Sequence, residues 1–270
     1  MSDERQSDDG IIDQVNQEVE FTDQQFKATS NSSPLVSIVI PVYNEEGIIV
    51  EAIEELVSDL DTWGRPYEVI IAENGSRDRT VELAEMLSDR FKHVSTFSAG
   101  EPNYGLALKQ GLLRACGQYA ICDEIDLCDI AFYYSAFEIF DDESLAVDFI
   151  VGSKRAPGAR DRRPLFRRFA TGVLNGMLRI AVGFKGTDTH GLKALRLSSV
   201  TPVIESCVVD KDMFASELVV RVHRSELKWR EIPIDLQEKR PPSVHLLRRV
   251  PNVLKNIMRL IMIIRFGRDL

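Results

Sequence analysis

The first half of the chain alternates short β-branched runs with amphipathic stretches, and this alternation constrains the fold more than any other feature. Val36–Ile40 is a nearly continuous apolar run, as expected of a parallel strand buried on both faces, and Pro41 is predicted to end it. The further predicted strands are Tyr67–Glu73, His93–Phe97 and Tyr119–Cys122. The intervening helices are predicted from Glu45 to about Leu60, from Arg79 to Phe91, and from the 100–105 loop to about Cys116. Strand–helix alternation with short polar turns predicts an α/β fold with a mostly parallel, doubly wound sheet flanked by helices.

The strand Tyr119–Cys122 runs directly into four carboxylates, Asp123, Glu124, Asp126 and Asp129. In open α/β sheets the carboxyl edge of the strands is where ligands bind. Glu124 and Asp126 stand two residues apart, so on an extended segment they would point the same way. Two hard oxygen ligands with open positions suit Mg²⁺ or Mn²⁺ that carries substrate phosphates. The alternative is an acidic loop that caps the next helix.

The loop after the first strand excludes two common nucleotide sites. A dinucleotide fold would place GxGxxG there, but this chain has Pro41–Glu45 and no glycine before Gly47. A P-loop is also absent from the sequence, so we expect neither NAD binding nor NTP hydrolysis. The four cysteines lack CxxC spacing, which argues against a zinc site.

Charge is unevenly distributed along the chain. The net charge of −9 argues against general nucleic-acid binding. Residues 1–34 carry eight acidic and two basic side chains, and we predict a disordered acidic tail over residues 1–33. Residues 151–200 instead carry eleven basic and two acidic side chains. The N-terminus lacks a signal-peptide pattern and no apolar run approaches the roughly 20 residues of a membrane span, so we expect a cytoplasmic protein.

Several motifs together resemble a known family. They are IPVYNEE from Ile40, ENGSRDRT from Glu73, NYGLALKQG from Asn103, and the acidic pair in EID, Glu124 and Asp126. In this combination the sequence resembles a family 2 glycosyltransferase of the GT-A fold. VGSKR, RRPLFRRFATGVLN, DTHGLKALR and EKRPPS resemble the branch that contains the dolichyl-phosphate mannose and glucose synthases. The likeness runs from about Leu35 to Ser243 and implies a catalytic domain over residues 34–243.

The resemblance implies which residues hold the nucleotide of a nucleotide-sugar donor. The first loop and the end of the second strand hold the base and ribose in that family. The positions that match this role are Pro41, Tyr43, Glu45, Glu73, Asn74 and Asp78, with Gly105, Lys109 and Asp123 also near the nucleotide. The metal, Mg²⁺ or Mn²⁺, would fall to Glu124 and Asp126. The alternative for Asn74, Gly75 and Asp78 is a tight turn and helix cap.

The resemblance also implies a phosphate acceptor and a single in-line displacement that inverts the anomeric carbon. An acceptor phosphate is already anionic at pH 7, so it needs a cationic cradle rather than a strong base. The residues that match the cradle are Lys154, Arg155, Arg167, Thr171 and Arg240. Asp126, Asp188 and Arg167 are the predicted catalytic residues, and His190 is a weaker candidate. The alternative for the basic residues is a solvated face or one attracted to anionic lipid headgroups.

Residues 244–270 are predicted to form a basic amphipathic helix, either in the membrane interface or packed on the domain. The resemblance thus implies a metal-dependent inverting glycosyltransferase that moves a hexose from a GDP-mannose- or UDP-glucose-type donor to a polyprenyl phosphate. It would act at the cytoplasmic face of the membrane, with no nucleic-acid partner and with an oligomer possible. Two alternatives stay open: a saccharide or soluble acceptor, and a catalytically weak membrane-associated partner protein of the same fold.

Overall fold

The computed structural model describes residues 33–161, 165–208, 213–236, 255 and 258–264, with the backbone alone at positions 161, 165–167, 169–171, 174 and 236. The strands are β1 (Val36–Val42), β2 (Tyr67–Glu73), β3 (Val94–Ser98), β4 (Tyr119–Cys122), β5 (Phe149–Ser153), β6 (Arg160–Asp161), β7 (Lys193–Arg196), β8 (Trp229–Pro233) and β9 (Asp235–Leu236). Seven of them form one sheet in the order β3-β2-β1-β4-β7-β5-β8, while β6 and β9 form a small separate pair.

Helices connect the strands and cover the sheet. They are α1 (Ile49–Trp63), α2 (Thr80–Arg90), α3 (Tyr104–Arg114), α4 (Ile130–Asp141), α5 (Leu165–Val182), α6 (Leu197–Ser206) and α7 (Phe214–Arg224). The predicted strands and helices up to β4 are all found, each within a few residues of its predicted limits. The predicted α/β fold is therefore confirmed.

The side-chain alternation of β1 explains why both faces of the sheet are covered. Ile38 and Ile40 lie in one apolar core, to which α1, α2 and α4 contribute. Val39 points to the other side, into a second core with residues of α3, α5, α6 and α7. Successive side chains of a strand point to opposite faces, so an uninterrupted apolar run requires helices on both.

The first strand extends past Pro41, contrary to the sequence prediction. Pro41 pairs in register with Ala72 of β2, and the strand ends only at Val42. Proline is tolerated here because β4 ends opposite Val39, so β1 has no neighbour on that side at Pro41.

One strand runs against the others. β7 is antiparallel both to β4 and to β5 and lies between them. Lys193, at the beginning of β7, pairs with Cys122 at the end of β4 and with Val151 of β5. The turn that precedes β7 is therefore brought to the acidic end of β4.

The predicted terminal segments are described only in part. The acidic tail falls on residues outside the described ones apart from residue 33, and so does most of 244–270. Within that last segment residues 258–264 are helical, with Leu260 fully buried in the second core. Met258 and Met262 are 60% and 53% exposed. Among the described helices, none has the length and apolar character needed to cross a membrane.

Candidate active site

Residues 124–128, which follow β4, form a turn and not the extended segment assumed from the sequence. The N–H of Leu127 donates to the carbonyl oxygen of Glu124 at 2.9 Å, and the N–H of Cys128 donates to the same oxygen at 3.2 Å. Cys128 has a φ of 42°, in the left-handed region, and its Sγ lies 3.7 Å from the carbonyl oxygen of Ile125. The two-residue spacing of Glu124 and Asp126 therefore does not act through strand alternation.

Two carboxylates of this motif hold the turn together. Asp123 is buried and accepts hydrogen bonds from the hydroxyl of Tyr133 at 2.5 Å, from the N–H of Glu124 at 2.6 Å and from the N–H of Asp129 at 3.1 Å. Burial raises the pKa of Asp123 to about 7. Asp129 caps α4 by accepting from the N–H groups of Ala131 and Phe132. The helix-capping alternative thus describes Asp129, and the contacts of Asp123 are those of a residue that supports the loop.

Glu124 and Asp126 belong to a cluster of opposite charges at the carboxyl edge of the sheet. Burial raises the pKa of Glu124, the charge of Lys154 lowers it in part, and the nearby Asp126 raises it further. Asp188 is fully buried, and burial alone would raise its pKa. Lys154, together with the backbone N–H of His190, nevertheless holds the pKa of Asp188 below its usual range. The structure thus brings Lys154 and Asp188 close to Glu124, one of the two predicted metal ligands.

Lys193 is a member of this cluster that the sequence analysis missed. It is 3% exposed, and its Nζ donates to the carbonyl oxygen of Gly191 at 2.7 Å. Burial lowers its pKa, and the charges of Asp188 and Glu124 oppose that effect. The only signal in the sequence was a lysine that precedes the apolar pair Ala194 and Leu195.

Hydrogen bonds join the two loops predicted to hold the nucleotide. Backbone N–H groups of the first loop donate to side chains of the second: Asn44 to Ser76 Oγ at 3.0 Å, Glu45 to Thr80 Oγ1 at 2.7 Å, and Glu46 to Asp78 Oδ2 at 3.1 Å. Asp78 Oδ1 also accepts from the N–H of Thr80 at 3.0 Å. Asp78 therefore acts as the turn and cap residue of the alternative hypothesis. Pro41 and Tyr43 lie beside this junction, with Tyr43 40% exposed.

Glu73, the last residue of β2, and Asn74, which follows it, are buried, and the side chains of both accept hydrogen bonds. Glu73 accepts from the hydroxyl of Ser98 at 2.5 Å and from the N–H of Ser76. Burial raises the pKa of Glu73, but these hydrogen bonds outweigh it and keep the pKa below its usual value. Asn74 Oδ1 accepts from the N–H of Asn103 at 2.5 Å, which fixes the loop that leads into α3. Gly75 has a φ of 73°, and a Cβ there would lie 2.7 Å from the Glu101 backbone.

The first turns of α3 contribute one residue that was predicted near the nucleotide and one that was not. Gly105 is buried at the beginning of the helix. Burial, and then the charge of Glu124, raise the pKa of the Tyr104 hydroxyl well above its usual value, so this hydroxyl lies within electrostatic reach of the acidic turn. Lys109 instead donates to the carbonyl oxygens of Cys207 at 2.7 Å and Glu205 at 3.2 Å, which lie at the end of α6. These contacts give Lys109 a helix-capping role and lend no support to nucleotide contact.

Arg155, one of the basic residues predicted to bind the acceptor, contacts α5. A Cβ added to Gly172 would lie 2.7 Å from Nη1 of Arg155, so the guanidinium rests against this helix. Arg167 and Thr171 lie on the preceding turns of α5, where the structure describes the backbone alone. Arg240 lies outside the described residues.

The turn that carries Asp188 is also tied to the acceptor region. Asp188 Oδ2 accepts from the N–H of Lys154 at 3.4 Å, and Nδ2 of Asn175 in α5 donates to the carbonyl oxygen of Thr187 at 2.5 Å. His190 Nδ1 lies 3.0 Å from Thr189 Oγ1, a contact within the turn that favours a structural role.

Comparison with known proteins decides the family. The model of Glycosyl transferase family 2 matches residues 37–184, which is more than half of the chain. The chain belongs to glycosyl transferase family 2. The matched range runs from the second residue of β1 to beyond the end of α5, and it contains the acidic turn and the two loops predicted to hold the nucleotide.

Curated relatives in this family extend beyond the chain. Glycosyltransferase AglD of Haloferax volcanii is 27% identical over 254 residues, which are 88% of this chain and 39% of that protein. Undecaprenyl-phosphate 4-deoxy-4-formamido-L-arabinose transferase of Pectobacterium atrosepticum is 33% identical over 63% of this chain and 51% of that protein. Dolichyl-phosphate beta-glucosyltransferase ALG5D of Trichomonas vaginalis is 25% identical over 75% of this chain and 66% of that protein. The chain thus spans about half the length or less of the first two relatives.

A solved structure confirms the GT-A fold of this family 2 member. Glucosyl-3-phosphoglycerate synthase from Mycobacterium tuberculosis, in complex with Mn²⁺, UDP-glucose and phosphoglyceric acid, superposes with a TM-score of 0.59. The sequences are 16% identical, and the match covers 89% of this chain and 82% of that chain.

The residues of the acidic turn fit a divalent metal whose coordination is completed by a substrate. Among the described residues, no three His, Cys, Asp or Glu side chains come together as a metal-binding group. Glu124 and Asp126 alone offer two hard oxygen ligands, and the repulsion between them is the kind that a cation relieves. Such a site, with few protein ligands and open positions, is typical of Mg²⁺ bound together with phosphates.

Proposed function

We propose that this family 2 glycosyltransferase moves a hexose from a nucleotide sugar to a polyprenyl phosphate. The observation that carries the proposal is the juxtaposition of Glu124 and Asp126 with Asp188 and the basic loop that begins at Lys154. A site for the donor diphosphate would then lie beside cations suited to a second phosphate. The names of two relatives, an undecaprenyl-phosphate and a dolichyl-phosphate transferase, support the acceptor class.

The residues divide the work between donor and acceptor. Glu124 and Asp126 would hold a divalent cation, Mg²⁺ or Mn²⁺, which when bound neutralises the departing nucleoside diphosphate. Pro41, Tyr43, Glu45 and Glu73 would line the nucleotide site at the junction of the two loops. Lys154 and Arg155, with Arg167 and Thr171 on α5 and Arg240, would orient the acceptor phosphate for in-line attack on the anomeric carbon.

The ionisation of Asp188 favours a phosphate over a hydroxyl acceptor. A hydroxyl acceptor must lose a proton, and an efficient general base has a pKa near the working pH. Lys154 and the His190 N–H instead keep the pKa of Asp188 below its usual value, which makes it a weak base. We infer that Asp188 orients the cationic loop by accepting from the N–H of Lys154.

We further propose that the domain spans residues 34–243 and acts at the cytoplasmic face of the membrane. Supporting this, Ile180 on α5 is 83% exposed and Met258 is 60% exposed, next to the exposed basic residues Arg179 and Arg259. Exposed apolar side chains flanked by cations suit the surface of an anionic membrane.

The test is a transfer assay with radiolabelled GDP-mannose, UDP-glucose or UDP-N-acetylglucosamine, a polyprenyl phosphate, and Mg²⁺ or Mn²⁺. Label extracted into organic solvent from one donor supports the proposal and identifies the donor. Metal-dependent nucleotide binding without extracted label contradicts the lipid acceptor and favours a saccharide or soluble one. Absence of nucleotide binding favours the non-catalytic partner protein.

A further inference from the structure

We infer that Glu231 on β8 is a positioning residue for Asp188 and for the basic loop at Lys154, a role that rests on the proposed function. Glu231 lies in WREIP, a strand at the edge of the sheet, and belongs to none of the predicted site residues. It reaches the turn before β7 from the opposite side of β5.

The carboxylate of Glu231 holds the turn through three donors. Oε1 accepts from the N–H of Thr187 at 2.6 Å and from the N–H of Asp188 at 3.3 Å. Oε2 accepts from the hydroxyl of Thr187 at 2.8 Å. A carboxylate that bridges two consecutive amides and a hydroxyl fixes the backbone from which the Asp188 side chain projects.

Thr187 also links the turn to the basic loop through hydrogen bonds. Thr187 Oγ1 lies 2.6 Å from Ser153 Oγ. Ser153 Oγ in turn accepts hydrogen bonds from the N–H groups of Arg155 and Ala156, each at 3.1 Å. Asn175 adds the link from Thr187 to α5. One carboxylate thus anchors the turn that carries Asp188, and Thr187 links this turn to the basic loop and to α5.

A side chain at either end of the turn would clash with its surroundings. A Cβ on Gly186 would lie 2.9 Å from Glu231 Oε1 and 2.3 Å from the ring of Phe184. A Cβ on Gly191, at the other end of the turn, would lie 1.8 Å from the carbonyl oxygen of Gly152. Both ends therefore require glycine, and the carboxylate occupies the space between the turn and β8.

Two measurements on Glu231→Ala test the inference, with Glu231→Gln as the conservative variant and the exposed Glu226→Ala as control. In hydrogen–deuterium exchange without substrates, the amides of Thr187 and Asp188 should exchange at least tenfold faster in Glu231→Ala. Glu231→Gln, which keeps an amide oxygen for these N–H groups, should remain near wild type. Nucleotide affinity should be unchanged in every variant, because the two loops predicted to hold the nucleotide follow β1 and β2, and at least three strands separate these from β8.

In the transfer assay, kcat should fall about 10²-fold in Glu231→Ala, the loss expected when reacting groups shift by about 1 Å, with partial recovery in Glu231→Gln. Unchanged exchange of the turn, or unchanged kcat in an active enzyme, would overturn the inference. A uniform loss of protection over the whole sheet would also overturn it, by showing a general structural role. Failure of the wild type to label a polyprenyl phosphate would count against the proposed function alone, because the exchange measurement needs no acceptor and still decides whether Glu231 holds the turn.

Discussion

The hydroxyl of Tyr133 donates to Asp123 at 2.5 Å inside the core, directly beneath the acidic turn. The bond joins α4 to the end of β4 and supports the segment that carries Glu124 and Asp126. Replacing Tyr133 by Phe leaves the buried Asp123 with one donor fewer. Hydrogen bonds to charged groups contribute about 1.5–3 kcal/mol, so we expect the free energy of unfolding to fall by about that amount in a urea titration at a pH well above 7, where Asp123 is ionised.

Tyr134 is the matched control for this variant, since it is the next residue of α4 and is 43% exposed. Tyr134→Phe should change the free energy of unfolding by less than about 0.5 kcal/mol. Equal effects of the two substitutions would contradict the role given to the Tyr133 hydroxyl.

Gly172 allows Arg155 to rest against α5, so Gly172→Ala should displace the guanidinium. A Cβ there would lie 2.7 Å from Arg155 Nη1, and the flexible arginine must move away. We expect a several-fold higher KM for the polyprenyl phosphate and an unchanged dissociation constant for the nucleotide. Gly176→Ala on the same helix meets nothing within 4 Å and should leave both constants unchanged. Similar kinetics in the two variants would refute a role for Arg155 in acceptor binding.

Substitution of Lys109 distinguishes a helix-capping role from a nucleotide-binding role. Because its ammonium donates to the carbonyl oxygens of Glu205 and Cys207, Lys109→Met should lower the free energy of unfolding by about 1 kcal/mol. Nucleotide affinity, measured by calorimetry, should not change. A weaker nucleotide affinity at unaltered stability would restore the prediction made from the sequence.

His223 should make stability depend on pH. Burial, and then the charges of Lys185 and Arg224, lower its pKa from 6.5. Its Nε2 accepts from the N–H of Lys185 at 3.3 Å, which requires the neutral ring. The unfolded chain therefore binds a proton more readily, so this contribution to stability is present above pH 6.5 and is lost as the pH falls through the lower folded pKa.

The check is to compare urea unfolding of wild type and His223→Gln at pH 7.5 and pH 5. Glutamine keeps an acceptor for the Lys185 N–H but does not titrate in this range. The wild type should lose more stability on acidification than the variant. The reverse order would show that the protonated ring is stabilised in the folded protein.

Most of the sheet could be predicted from the sequence, because its central strands are apolar on both faces and are bounded by polar turns. Tyr119–Cys122 was predicted with its observed limits for this reason. β5, β7 and β8 were not predicted, and β7 has only four residues and begins with Lys193. The burial of that lysine depends on Asp188 and Glu124, and their proximity arises only when β7 pairs with β4.

The candidate site, too, could be predicted only in part from the sequence. The acidic motif could be recognised from its residues, but the turn at 124–128 could not, because strand alternation was assumed to continue past Cys122. The extension of β1 through Pro41 depends on where a neighbouring strand ends. The contact of Glu231 with Thr187 joins residues 44 positions apart and leaves no local signal in the sequence.

The most direct test of the proposed transfer compares wild type with Asp126→Ala and Arg167→Ala, using the labelled donor that the wild type accepts and a polyprenyl phosphate. Asp142→Ala, in the exposed loop after α4, is the control. We predict label in the organic phase with wild type and the control, and a loss of at least about 10²-fold in both site variants, because one removes a proposed metal ligand and the other a proposed phosphate contact. Transfer at the wild-type rate in Asp126→Ala would contradict the account.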